Sequence, residues 1–298
     1  LGYSLIRSGM ADVVMACGVE NMTRLPIGSD AVGLPKEYGK PVSRSYFAHY
    51  EFTSQFEGAE RVAEKYQITR QDADNFGLQS QLRAAKAQDE GRFTSQIIPL
   101  TVPVFDDKGE KTDATKVFER DEIPRDTSLE ALAGLKPVAR ENGVHTAGQS
   151  SQIADGAAVV LMMSAAKAKE LGLTPRARFI AGAVVGVPPR IMGIGPAPAS
   201  KRVLAKAGLA ISAMDVIEIN EAFASQSLAT LRELGLPDDG EHVNPNGGAI
   251  ALGHPLGMSG ARLVLTAIEE LHRRSARYAL SAMCIGVGQG ISSIVERV

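Results

Sequence analysis

The sequence predicts an α/β protein built as a helix-flanked sheet. Short valine-rich apolar runs recur along the chain, stretches with helical start and stop signals lie between them, and the two kinds alternate through the second half. A chain of 298 residues is long enough for one large or two ordinary domains with real cores. Its 44% apolar and 22% charged residues are the balance of a globular protein.

Residues 1–9 read as the tail of an amphipathic helix, with Leu1, Leu5 and Ile6 toward one face and Gly9 as the stop. Residues 13–19 (VVMACGV) fit a strand buried on both faces of a parallel sheet. From 21 to 50 the text turns to Pro, Gly, Ser and aromatics without periodicity, an irregular excursion expected to carry specificity. Helices follow over 57–66 and 69–90, the second with Thr69 as N-cap, Asp72 in the first turn and Gly91 as the stop. A strand over 97–104 and a polar hairpin or loop over 106–120 complete what reads as an inserted layer. The sheet rhythm resumes at 156–163, a strand, after which Ser164 caps a short helix ended by Gly172. Strands are then expected over 176–187, 216–219, 278–283 and 291–295, with helices over 199–207, 221–234 and 259–273. Residues 7–17 lie without gaps on 274–284, each a helix end followed by a strand. That match reads either as two related halves or as the general likeness of such units.

Composition also excludes function classes. With 32 basic and 34 acidic residues, a formal charge of −2, the chain lacks the electrostatic footprint of a nucleic-acid binder. No apolar run approaches the roughly 20 residues of a spanning helix and no leader opens the chain, so neither membrane nor secretion is expected. Cys17 and Cys284 stand far apart outside any paired metal spacing, which argues for reduced thiols in a cytoplasmic setting and against a metal.

Three stretches carry chemistry. In residues 244–260 several glycines surround His254, a context in which a ligand can approach the backbone with the imidazole aimed at it. The lysine of a phosphate loop is missing there, and the plain alternative is a glycine turn with a surface histidine. Cys284 follows a strand and precedes Gly286, Gly288 and Gly290, placing a thiol beside free backbone N–H groups. Without those glycines it would read as a small core residue, as Cys17 does. Asn220 ends a strand where loops of α/β sheets bind ligands, or else is an ordinary helix N-cap.

NEAFA at Asn220, GGAIALGHPLGMSGAR around His254 and CIGVGQG around Cys284 resemble, in order, three signatures of the thiolase family. The resemblance extends through Asp12 to Glu20, Thr146 to Gly156 and Met192 to Ala199, covering essentially the whole chain. It implies a five-layer α/β/α/β/α fold with an inserted loop domain: 1–24 and 146–172 from an incomplete N-terminal half, 25–145 over the active site, and 173–298 as the C-terminal half. It further implies acyl transfer on CoA thioesters without metal or redox cofactor, by a homo-oligomer, dimer or tetramer. Cys284 would handle the α-proton of acetyl-CoA, Gly286 would offer a backbone N–H to an oxyanion, His254 would donate to the thioester oxygen and help activate the nucleophile, and Asn220 would position a water. Ser151 and Arg125 match positions that contact CoA in relatives, and Gln55 stands where biosynthetic members carry a methionine near pantetheine. Gln55, together with Val287 in place of a third glycine, resembles the degradative 3-ketoacyl-CoA thiolases, of aromatic-acid and steroid-chain breakdown among others.

The family's nucleophilic cysteine aligns about ten residues before Leu1, so this chain alone is expected to be inactive in acyl transfer. An incomplete reading frame, a split or processed protein, and a CoA-binding homologue without catalysis each account for that; the first fits best, since the opening helix is cut in mid-course. A Cys/His/Asn hydrolase shares the residue types and is the competing enzyme class. Core strands left open by a missing quarter are expected to make these 298 residues aggregate on expression. A soluble monomer with one cooperative melt would contradict this.

Overall fold

The computed structural model describes residues 1–29, 39, 42–51 and 53–298. Part of the excursion expected over 21–50, and of the layer over 25–145, lies outside the described residues.

The chain opens with α1 (Gly2–Arg7) and β1 (Val13–Asn21). After α2 (Arg44–His49) come α3 (Gln55–Tyr66) and the long α4 (Arg70–Asp89). Thr69 and Asp72 close a reciprocal capping box at the start of α4, and Gly91, at φ +67°, turns the chain away after it. β2 (Leu100–Phe105) and β3 (Lys111–Phe118) pair as a hairpin, the expected strand supplying its first arm and the polar block over 106–120 its turn and second arm, followed by α5 (Leu129–Ala133). Next are β4 (Asp155–Met163), α6 (Ala165–Glu170), β5 (Ala177–Gly186), α7 (Pro196–Ala207), β6 (Val216–Ile219) and α8 (Ala224–Leu234). The short α9 (Ala249–Leu252), α10 (Leu256–Arg274), β7 (Tyr278–Ile285) and β8 (Gln289–Arg297) end the chain.

Four strands form a mixed sheet in the order β5-β8-β7-β6, in which only the β6–β7 pair is parallel. Strand alternation sends β6 residues to opposite faces. Ile217 and Ile219 enter the main core with Val203 of α7, Leu228 and Leu231 of α8, and Val62 and Phe76 of α3 and α4. Val216 meets Ala267 and Leu271 of α10 on the other face. The far side of α10 packs on β1 and β4, so this helix is the middle of the molecule and has a sheet on either side. Tyr3 of α1 reaches the same level, its ring 4.8 Å from that of Phe179 in β5. The helix-then-strand step expected at both 7–17 and 274–284 is present in both places, as α1–β1 and α10–β7.

The first strand departs from expectation. β1 pairs antiparallel with β4 and is covered on one face only: Gly18 lies so close to α10 that a β-carbon there would overlap the carbonyl of Gly257, while Val13, Met15 and Val19 face outward beside Val159 and Leu161 of β4. Cys17 shares that outward face and is exposed rather than core. An unbroken apolar run does not reveal whether both of its faces are covered.

A close backbone approach holds the β7–β8 hairpin to the start of α7, where a β-carbon on Gly290 would overlap the Gly195 carbonyl. Gly290→Ala is expected to cost about 3 kcal/mol in urea unfolding, as overpacked sites do. Gly186→Ala, whose β-carbon would meet nothing within 4 Å, is the control expected to leave the midpoint nearly unchanged.

Candidate active site

Three loop segments from separate parts of the chain converge where β6 and β7 end. Asn220 follows β6, and its backbone N–H still donates to Ala282 of β7 at 2.9 Å. His254 follows α9 through Gly253, whose φ of +86° and close neighbours, Ala154 and Ile123, leave no room for a side chain. Cys284 is the penultimate residue of β7.

Asn220 Nδ2 donates to His254 Nε2 at 3.1 Å, and both side chains are buried. Ser259 Oγ donates to the Pro255 carbonyl at 2.8 Å and so accepts from His254 Nδ1 at 2.6 Å. This chain of hydrogen bonds assigns the proton to Nδ1 and leaves the Nε2 lone pair facing the amide. The His254 backbone N–H donates to the Gln152 carbonyl at 3.1 Å, and the neighbouring Ser151 N–H donates to the Ala222 carbonyl at 3.0 Å, so residues 151–152 bridge the asparagine and histidine segments. Asn220 Oδ1 is buried without a partner, free to receive a hydrogen-bond donor.

Cys284 is buried in an apolar cluster with Ala59, Ala222, Phe223 and Met192. Phe223 is held edge-on by the rings of Phe56 and His145, each 5.5 Å away. Burial pushes the Cys284 thiol up to about 11, so it carries its proton at neutral pH. Burial, with a smaller contribution from the Arg262 charge, takes His254 down to about 4 and keeps it neutral. Past Cys284 the hairpin turns through Gly286, Val287 and Gly288, and a β-carbon on Gly286 would meet nothing within 4 Å, which leaves open space beside its backbone. Val287 adopts φ +68°, a conformation worth roughly 1–3 kcal/mol of strain in a β-branched residue.

Of the remaining expected residues, Gln55 begins α3, whose Phe56 and Ala59 reach Phe223 and Cys284. Arg125 is exposed; its backbone N–H donates to Gln81 Oε1 at 2.9 Å, and Gln81 Nε2 donates to the Ile250 carbonyl at 3.4 Å, a link through α4 to the histidine segment. The structure thus brings Asn220, His254, Cys284, Gly286 and Ser151 together and sets Gln55 and Arg125 around them.

Residues 1–166 match the family model described as the thiolase N-terminal domain, and residues 173–297 match the thiolase C-terminal domain. The chain belongs to the thiolase family. It is 51% identical to the 3-oxoadipyl-CoA/3-oxo-5,6-dehydrosuberyl-CoA thiolase of Escherichia coli (strain K12), a match covering all of this chain and 76% of that protein. Identity to the peroxisomal 3-ketoacyl-CoA thiolase A of Mus musculus is 46%, over 98% of this chain and 67% of that one. The crystal structure of the Bacillus anthracis acetyl-CoA acetyltransferase matches with a TM-score of 0.85 and 39% identity, covering 99% of this chain and 74% of that chain. The protein is a thiolase-type acyltransferase of CoA thioesters, and its α/β architecture is the thiolase fold. The family match over the whole chain sets the hydrolase alternative aside.

Two positioning groups of this thiolase escaped the sequence reading. Ser259 was read only as the start of a helix, although its place five residues after His254 was a usable signal. Glu221, expected to open α8, instead lies in a four-residue link, residues 220–223, before that helix begins at Ala224. Its buried carboxylate accepts from Ser80 Oγ at 2.6 Å, Asn244 Nδ2 at 2.8 Å and the Ile250 N–H at 3.2 Å. Burial raises its pKa and these bonds oppose the rise. Glu221 thereby clips the asparagine segment to the loop that leads to His254.

The depressed His254 pKa sets a pH dependence. The folded state keeps the ring neutral while the unfolded chain binds a proton below about 6.5, so its contribution to stability is intact above that pH and is lost as pH falls toward 4. The loss is expected to be about 3 kcal/mol. Urea unfolding of the parent and of His254→Asn at pH 7 and pH 4.5 measures it; parallel pH curves for the two proteins would contradict it.

Proposed function

We propose that this thiolase works in the thiolytic direction on 3-ketoacyl-CoA esters, with Cys284 as the acid–base thiol, His254 as base and oxyanion donor, Asn220 as the holder of a water, and the Gly286 N–H as a second oxyanion donor. The observation that carries the proposal is the Asn220–His254–Ser259 chain beside a buried, protonated Cys284.

The neutral His254 takes the proton of the attacking cysteine of the family mechanism at Nε2 and then, as the imidazolium, donates toward the oxygen on which charge develops. Cleavage of the bond between the α and β carbons releases the acetyl-CoA enolate. Cys284 gives its proton to that carbanion, forming acetyl-CoA, and the resulting thiolate recovers a proton from the thiol of incoming CoA, which attacks the acyl-enzyme and expels the enzyme cysteine as a thiolate; that thiolate takes back the proton held on His254. The proton count closes without an outside base. Gly286, with open space before it, can face the oxyanion of either tetrahedral intermediate. Asn220 Oδ1, buried and unpartnered, suits a water donor.

Ser151, Gln55 and Arg125 would lie along the CoA arm, and the chain would divide as 1–24 with 146–172, 25–145, and 173–298. The relatives named for 3-oxoadipyl-CoA make a 3-oxo-dicarboxylyl-CoA the first substrate to try. A cytoplasmic homo-oligomer, using no metal or redox cofactor, completes the proposal. Among the described residues no helix is long and apolar enough to cross a membrane, and no three His, Cys, Asp or Glu side chains cluster as a metal site.

Thiolysis of 3-oxoadipyl-CoA and acetoacetyl-CoA by the full-length protein is expected to fall about 1,000-fold in Cys284→Ala, as when a proton-transfer group is lost. Ser259→Ala is expected to lower kcat about tenfold with little change in KM, because tautomer control acts on the transition state. Unaltered turnover in Cys284→Ala would sink the assignment of the thiol.

A further inference from the structure

Each of the three site segments has a large apolar side chain beside it that the fold does not bury: Phe56, whose ring packs on Phe223; Leu256, two residues after His254; and Val287, three residues after Cys284. Val287 differs from the other two in its backbone. Its φ of +68° lies in the region that disfavours a β-branched residue, and the surroundings fix it there. The ladder pairs Cys284 with Gly290 and Ile285 with Gln289, so only three residues close the turn. Gly288, at φ +96°, donates no side chain and lies against Val187 and Pro189, and its carbonyl accepts from the Val187 N–H at 2.8 Å. Glycine would suit position 287 without strain, and Val287, 51% exposed and outside the core clusters, gains little from core packing.

We propose that Val287 is a specificity-determining residue whose isopropyl group walls the reaction centre against substrates branched at the carbon next to the thioester carbonyl. The proposal rests on the reading of Cys284 and Gly286 as the reacting centre. A strained side chain at the tip of the hairpin that carries both residues, next to the open space before Gly286, adds an apolar surface where the reacting acyl carbons come to lie. A methyl branch at the α-carbon brings extra volume to the place where Cys284 has to deliver a proton. The unbranched chain packs against the wall instead.

The test is thiolysis of acetoacetyl-CoA and 2-methylacetoacetyl-CoA by the full-length protein and by Val287→Gly and Val287→Ala. Glycine is the residue the turn conformation favours, so Val287→Gly is expected to fold with an unchanged or higher thermal midpoint. The ratio of kcat/KM for the branched to the unbranched substrate is expected to rise about tenfold or more in both variants, the scale on which one methyl group is discriminated. A ratio within about twofold of the parent in both variants overturns the wall, since one methyl group in a close-fitting pocket is worth more than that. Should the parent turn over neither substrate, the thiolytic reading fails separately. The wall is then judged on the ratio of Kd values for isobutyryl-CoA and acetyl-CoA, where a fall in Val287→Gly supports it and no change overturns it.

Discussion

Taking an imidazole and a thiol out of water has structural consequences that run through this protein. A buried histidine that is to stay neutral needs a donor at one nitrogen and an acceptor at the other, and Asn220 and Ser259 supply them from a strand end and a helix start. Placing Asn220 there fixes the end of β6; placing Ser259 there fixes the direction of α10, the helix between the two sheets. The same burial selects the protonation states, a neutral imidazole and a protonated thiol. Stability and protonation state are therefore set by one environment.

Close backbone approach is the second requirement, and it explains the density of glycine around His254 and Cys284. Gly253 lets the chain pass Ala154 and Ile123 to present His254, and Gly290 lets the β7–β8 hairpin lie on the start of α7. Where the turn departs from that rule, at Val287, the departure is local and leaves the residue half exposed.

Much of this was legible in the sequence because the signals were local. The caps at Thr69 and Ser164, the stops at Gly91 and Gly172, and the strand and helix alternation after residue 155 are read from neighbouring residues, and the structure has them. Asn220, His254 and Cys284 stood out because each lies at a strand end or in a glycine-rich loop. What was not legible depended on distant partners. The 13–19 run gave no hint that one of its faces is open, and Cys17 was misplaced for that reason. Glu221 resembled a first-turn acid; its use as a clip depends on Ser80, 141 residues earlier. Helix α8 starts three residues later than expected because that clip occupies the link before it.

The Glu221 clip has a bearing on how the chain divides into units. Two of its hydrogen-bond donors, Asn244 and Ile250, come from nearby in the chain, and the third, Ser80, comes from the distant α4, where its hydroxyl also receives the Gly248 N–H at 3.1 Å. The residues from 173 onward, expressed alone, would therefore carry a carboxylate whose burial is only partly compensated and a glycine loop with one anchor gone. The loops that hold Glu221 and Gly248 thus take their final form only once α4 has docked, so their order reports on completion of the whole fold.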